Sequence, residues 1–184
     1  MREEARILIM PGRERGLPAH RTADSRAGNP RSAQEAAPPR ALLTAAAADL
    51  LARLQAKHGA LMFHQSGGCC DGSSPMCYPD GEFLVGDRDV LLGILDVGDG
   101  VPVWISGPQF QAWKHTQLVI DVVAGRGGGF SVEAPEGVRF LSRGRAFTGE
   151  ENAMLAEHAP LTGADFARGM RPTPTPPLGR GSEV

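Results

Sequence analysis

Ala41-Leu-Leu-Thr44-Ala-Ala-Ala-Ala-Asp-Leu50-Leu51-Ala-Arg-Leu54-Gln-Ala-Lys57-His58-Gly59 runs directly into Ala60-Leu-Met-Phe-His64-Gln65, and the change of rhythm between the two decides the fold. The alanine-rich part reads as a helix over 41–59 with Thr44 available as an N-cap. Leu50, Leu51 and Leu54 lie on one side, Lys57 and His58 sit in the last turn where the helix dipole favours cations, and Gly59 supplies the stop. From Ala60 the period becomes two, with Leu61 and Phe63 alternating with Met62 and His64. Further strands are expected over Val90 to Val97, Val101 to Ser106, Thr116 to Val123, Phe130 to Ala134 and Val138 to Leu141, each bounded by Gly, Pro or Asp. A short helix is expected over Pro108 to Lys114. Gly125-Arg-Gly-Gly-Gly129 and Pro135-Glu-Gly137 have the chemistry of reversing turns. The fold class that follows is α+β, with one N-terminal helix packed on a mainly antiparallel β-sheet or flattened barrel.

The charge divides the 184 residues in three. Residues 1–40 hold eight Arg against five acids and five Pro, with few large apolar side chains, and read as a disordered N-terminal arm. Residues 41–150 are net −4 and form the α+β domain. Residues 151–184 hold five Pro and are expected as a largely disordered Pro-rich tail. With a net charge of −2 overall, the chain lacks the basic surface of a generic nucleic-acid binder. No apolar run approaches the roughly 20 residues that span a bilayer, and Ile7 to Met10 is too short for a secretory core. A cytoplasmic protein is therefore expected, with neither nucleic acid nor membrane as a partner.

The chemistry-bearing stretch is His64-Gln-Ser-Gly-Gly-Cys69-Cys70-Asp71-Gly-Ser-Ser-Pro-Met-Cys77. It places all three cysteines within nine positions, among small and polar neighbours, directly after a strand. Such sulfurs point to a thiolate site. Three thiolates and an imidazole suit tetrahedral zinc or iron, although the spacing follows no well-attested zinc pattern. Cys69 and Cys77 are the primary expected ligands, with Cys70, His64 and His115 supplementing them. Asp71 and Asp121 are expected in an outer shell that orients those ligands. Asp121 stands in the apolar run Leu118-Val-Ile-Asp-Val-Val123, where the plainer alternative is a solvent-facing carboxylate. The competing readings of the cysteines are a reactive or redox thiol, inert packing, and a glycine-rich anion nest. The chain has no P-loop, no dinucleotide-binding Gly-x-Gly-x-x-Gly and no Gly-x-Ser-x-Gly elbow.

Gly59 to Cys77, Trp113-Lys-His-Thr-Gln117 and Gly129 to Arg143 together resemble the bacterial family called domain of unknown function 779, over about residues 42–150. The resemblance implies no activity and assigns no catalytic residue. Members are often encoded beside aldehyde dehydrogenases, which implies an accessory role with such an enzyme. Leu61 to Cys69 is also similar in outline to the A-type iron–sulfur carriers, but those use a later Cys-x-Cys and this chain has no cysteine after Cys77. The expected function is a small metal-binding accessory protein. The alternatives are a thiol-dependent enzyme acting on a carbonyl substrate and a structural partner subunit without metal.

Overall fold

An N-cap residue needs extended backbone, and Thr44 has it: φ is −69°, ψ is 156°, and its hydroxyl accepts from the amide of Ala47. Helix α1 therefore starts at Ala45 and runs to His58, burying Ala47, Leu50, Leu51 and Leu54. It stops at Gly59, whose φ of 82° suits a residue without Cβ and whose amide returns to the Gln55 carbonyl. The same cap explains a departure from the expected helix over 41–59. Residues ahead of an N-cap lie outside the helix, and Ala41–Leu43 forms strand β1, paired with Leu118 to Ile120 and with Ala41 and Leu43 buried.

The structure is a computed structural model that describes residues 37–65, 75–126 and 129–179. After α1 come β2 (Leu61–Gln65), β3 (Met76–Pro79), β4 (Val90–Leu95) and β5 (Val101–Ile105). The chain continues through α2 (Gly107–Trp113), β6 (Thr116–Ala124), a 3-10 turn (Ala134–Glu136), β7 (Val138–Ala146), α3 (Gly149–Ala156) and α4 (Gly163–Ala167). The class is α+β. Antiparallel pairing predominates, as expected, but the strands divide between two mixed sheets, ordered β1-β6-β7 and β3-β2-β5-β4, rather than forming one sheet or a flattened barrel. Each sheet contains one parallel pair, β1 with β6 and β2 with β5. The helices produce this division: α1 carries the chain from β1 in one sheet to β2 in the other, and α2 carries it back from β5 to β6. Hydrophobic alternation tells which face of a strand is buried but not which strand lies beside it.

The strand expected over Phe130 to Ala134 is absent. Phe130 is exposed, Pro135 cannot donate to a ladder, and the chain turns through Ala134–Glu136 before Gly137 closes onto Gly125. β3 appears instead, short and unannounced, against β2.

The principal core gathers Leu43, the leucines of α1, Leu61 and Phe63 of β2, Val101 and Val103 of β5, Leu118 and Ile120 of β6, and Phe140 of β7. Phe63 and Phe140 meet edge to face at 4.9 Å. A second cluster, Met62, Leu91, Ile94 and Trp104, lies on the other face of the four-stranded sheet under Tyr78, Phe83, Val85, Leu161 and Phe166.

Two of those covering residues come from the segment expected as a disordered tail, and here the structure differs. Thr148 with Glu151 and Thr162 with Asp165 close capping boxes on α3 and α4. Phe166 packs edge-on against Trp104 at 5.1 Å. On both sides of α4 the chain straps the outer edge of β4: Leu91 donates to Leu161 ahead of the helix, and after it Asp96 donates to Thr175 and Thr175 to Ile94, before Leu178 reaches Leu43 of β1. Gly163 passes so near the Gly86 carbonyl that a Cβ there would collide. A few apolar anchors and an edge strand's unpaired amides suffice to order a proline-rich segment, and composition averages do not register them. Of the expected disordered arm, residues 1–36 lie outside the described residues. Pro39 and Arg40 are bonded to β6 through Gln117 and Leu118.

Candidate functional site

Cys69, Cys70 and Asp71 lie outside the described residues, in the segment 66–74 that joins Gln65 of β2 to Pro75 ahead of β3. The two strands that hold that segment decide what can meet it. In their antiparallel register Phe63 faces Cys77 and His64 faces Met76. Paired residues share a sheet face and neighbours along a strand do not, so Cys77 and His64 look in opposite directions.

Cys77 goes into the principal core with Phe63 and is fully buried as a free thiol. Its amide donates to Ser131 Oγ at 2.9 Å and its carbonyl accepts from the Val132 amide at 3.0 Å. Ser131 in turn donates to the Glu133 carboxylate, which also takes the Phe140 amide. Burial, with the Glu133 charge added, pushes the Cys77 thiol far above its ordinary range, so it stays protonated. The structure does not bring this expected primary ligand to the face that holds His64, and a buried neutral thiol is a poor ligand.

His64 goes to the other face. It is buried and meets Phe83 in a tilted contact at a centroid distance of 4.4 Å, and Phe83 stacks on Tyr78 at 4.9 Å. Its Nε2 lies 3.4 Å from Asp89 Oδ2, and that oxygen also accepts from the Gly86 amide at 2.8 Å. Burial lowers the imidazole pKa, and the Asp89 carboxylate offsets this only in part. The ring is therefore neutral at pH 7, with a carboxylate beside it. β4 begins at Val90 opposite Ile105, which pairs with Gln65. The residue before β4 is thus brought to the rim where β2 and β5 end. Asp89 was missed by sequence reasoning because Asp87-Arg-Asp89 looks like any charged turn; its only signal was its place immediately before a strand. Gln65 is buried on the same rim and accepts a 2.7 Å bond from Ser142 Oγ of β7, tying the two sheets together.

The remaining expected residues lie elsewhere. His115 is exposed before β6, with Nδ1 2.8 Å from Asn152 Oδ1. Ser142, the β7 residue that touches Gln65, is paired with Ile120, five positions beyond His115, or about 16 Å of extended strand. Asp121 accepts from Thr44 Oγ1 at 2.9 Å, from the Val122 amide at 2.8 Å and from Arg143 Nε at 2.9 Å. Burial raises its pKa, yet the bonds from Arg143, Val122 and Thr44 outweigh burial and hold the carboxyl below its ordinary value. It locks the start of α1 to the β6–β7 hairpin. Among the described residues no group of three or more His, Cys, Asp or Glu is placed to hold a metal ion.

These features define an α+β domain of two mixed sheets, in which a buried histidine–carboxylate pair sits two positions ahead of a cysteine-bearing connection. The family described as a domain of unknown function (DUF779) matches residues 50–146, and the chain belongs to it. No curated protein and no solved structure matches it. Among the described residues no helix is long and apolar enough to cross a membrane.

Proposed function

We propose that the chain is a small metal-binding accessory protein, taking zinc or iron on His64 and on the thiolates of Cys69 and Cys70. The observation that carries the reading is the His64–Asp89 pair at the root of the cysteine segment. A metal-bound imidazole must be neutral, as burial makes His64. Ligating histidines commonly have a carboxylate partner that fixes the ring and raises its basicity, which is the part Asp89 is placed to play. Two thiolates and an imidazole leave a tetrahedral ion one open position. Reduced thiolates belong in a reducing compartment, which supports a cytoplasmic location. The proposed partner, an aldehyde dehydrogenase, is supported by the family's gene neighbourhood alone; co-purification from the native source tests it.

Metal analysis of anaerobically purified protein tests the site. Wild type and Cys77→Ala should carry about one zinc or iron per chain, while Cys69→Ser, Cys70→Ser and His64→Ala should lose it. Metal-free wild type, or loss confined to Cys77→Ala, sinks the reading.

The same pair favours a second reading. An imidazole oriented by a carboxylate is the base that a thiol nucleophile needs, so His64 would activate Cys69 or Cys70 for attack on a carbonyl carbon. Alkylation rates across pH separate the two: the enzyme reading expects one fast cysteine in metal-free protein, the metal reading expects protection that chelators abolish.

A further inference from the structure

Away from the histidine rim, Arg40 leaves the chain just ahead of β1 and places its guanidinium where two helices end. Its two terminal nitrogens donate to the carbonyls of Lys114, at 3.3 Å after α2, and Leu155, at 3.1 Å in the last turn of α3. The guanidinium sits 5.4 Å from the centre of the Phe110 ring. Among the described residues no carboxylate pairs with it, and burial lowers its pKa. A half-buried cation held by two carbonyls keeps three of its five N–H groups for something else.

That something has a place. A cavity of about 250 Å³ is lined by Arg40, Phe110, Lys114, His115, Asn152 and Leu155, with Ala156, Ala159 and Pro160. A second, of about 450 Å³ beneath the proline-rich strap, shares Arg40, Leu155, Ala159 and Pro160 and adds His158. Among the described residues neither is lined by an acidic one, although the chain as a whole is net −2. Asn152 fixes the His115 ring: its Nδ2 donates to the carbonyls of Phe147 and Thr148, so its Oδ1 is the acceptor that Nδ1–H of His115 meets.

We propose that the cavity between Arg40, Phe110 and Leu155 binds a small monocarboxylate, its head against the guanidinium and Lys114 and its apolar body along Phe110 and Leu155. A planar carboxylate matches the guanidinium fork, and the bonds to Lys114 and Leu155 hold that fork in position before the ligand arrives. The site is independent of the cysteine segment and of any metal.

Titration of the full chain with benzoate in the presence of EDTA, followed by amide NMR, tests it. Saturable shifts are expected at Arg40, Phe110, Lys114, His115 and Leu155, with the neutral isostere benzamide at least about tenfold weaker. Arg40→Lys keeps the charge and loses the fork, and should weaken benzoate about tenfold. Because Arg40 also ties two helix ends, Lys114→Gln provides a variant at an exposed position that leaves those ties in place; it should weaken benzoate about threefold. Absence of saturable shifts at these amides, equal binding of benzamide, or unchanged affinity in Lys114→Gln overturns the proposal.

Discussion

Phe63 and His64 are adjacent in sequence and live in different media. Phe63 looks with Cys77 into a dry core closed by Phe140 and the leucines of α1. His64 looks at Phe83, which stacks on Tyr78, and at a carboxylate. The contrast teaches that nearness in sequence does not fix the side of a sheet to which a side chain goes. Cys77 comes eight positions after Cys69 in the chain, but the β2–β3 register commits it to the interior. The pleat alone produces this, because a shift of one residue changes the face.

The largest effect expected from breaking the core side of this contrast is that of Phe63→Ala. It removes the ring that packs on Phe140 and should cost about 3–5 kcal/mol in urea denaturation, a large part of a typical domain's stability. A loss below about 1 kcal/mol would mean the interior had been misplaced. Next comes Ser131→Ala, which leaves the Cys77 amide without its acceptor and Glu133 without its hydroxyl donor; about 1–3 kcal/mol should be lost.

Glu133 supplies a test with a sign. Burial raises its folded pKa against the bonds from Ser131 and the Phe140 amide, so the fold prefers it protonated. Its contribution to stability is therefore full below its ordinary value of 4.5 and is lost as pH rises through the raised folded value. Stability of wild type relative to Glu133→Gln should fall across that window and level off above it. A difference that does not vary with pH contradicts the assigned burial.

The smallest energetic effect belongs to the histidine side and sharpens the contrast rather than breaking it. In metal-free protein Asp89→Asn removes the charge that holds the His64 pKa up, so the imidazole should titrate at still lower pH by NMR, with little change in stability. An upward movement would show that another group sets the ring's protonation.

Much was legible in advance where the cause is local. The α1 cap and stop follow from Thr44 and Gly59 acting on their own backbone, and the period-two run at Leu61–Gln65 followed from side-chain alternation. The candidate site was legible only in part. His64 stands out as the imidazole nearest the cysteines along the chain, whereas His115, far from them in sequence, lies before β6 beside Asn152. Asp89 carried only its place just before a strand, which does not reveal its role, since that depends on β4 starting where β2 and β5 end. The docking of residues 157–178 was hidden for a related reason: Phe166, Leu161 and Thr175 act through partners far away in the chain.

The sequence alone carried α1 with its capping residue and its stop, the alternating faces of β2 and β6, and the family, because capping, backbone freedom and alternation are properties of neighbouring residues. Only the tertiary structure decided that the strands split into two mixed sheets, that Cys77 is interior, and that His64 meets Asp89. Those outcomes depend on which strands lie side by side and in what register, and that is settled by burial summed over the whole chain rather than by any short stretch of it.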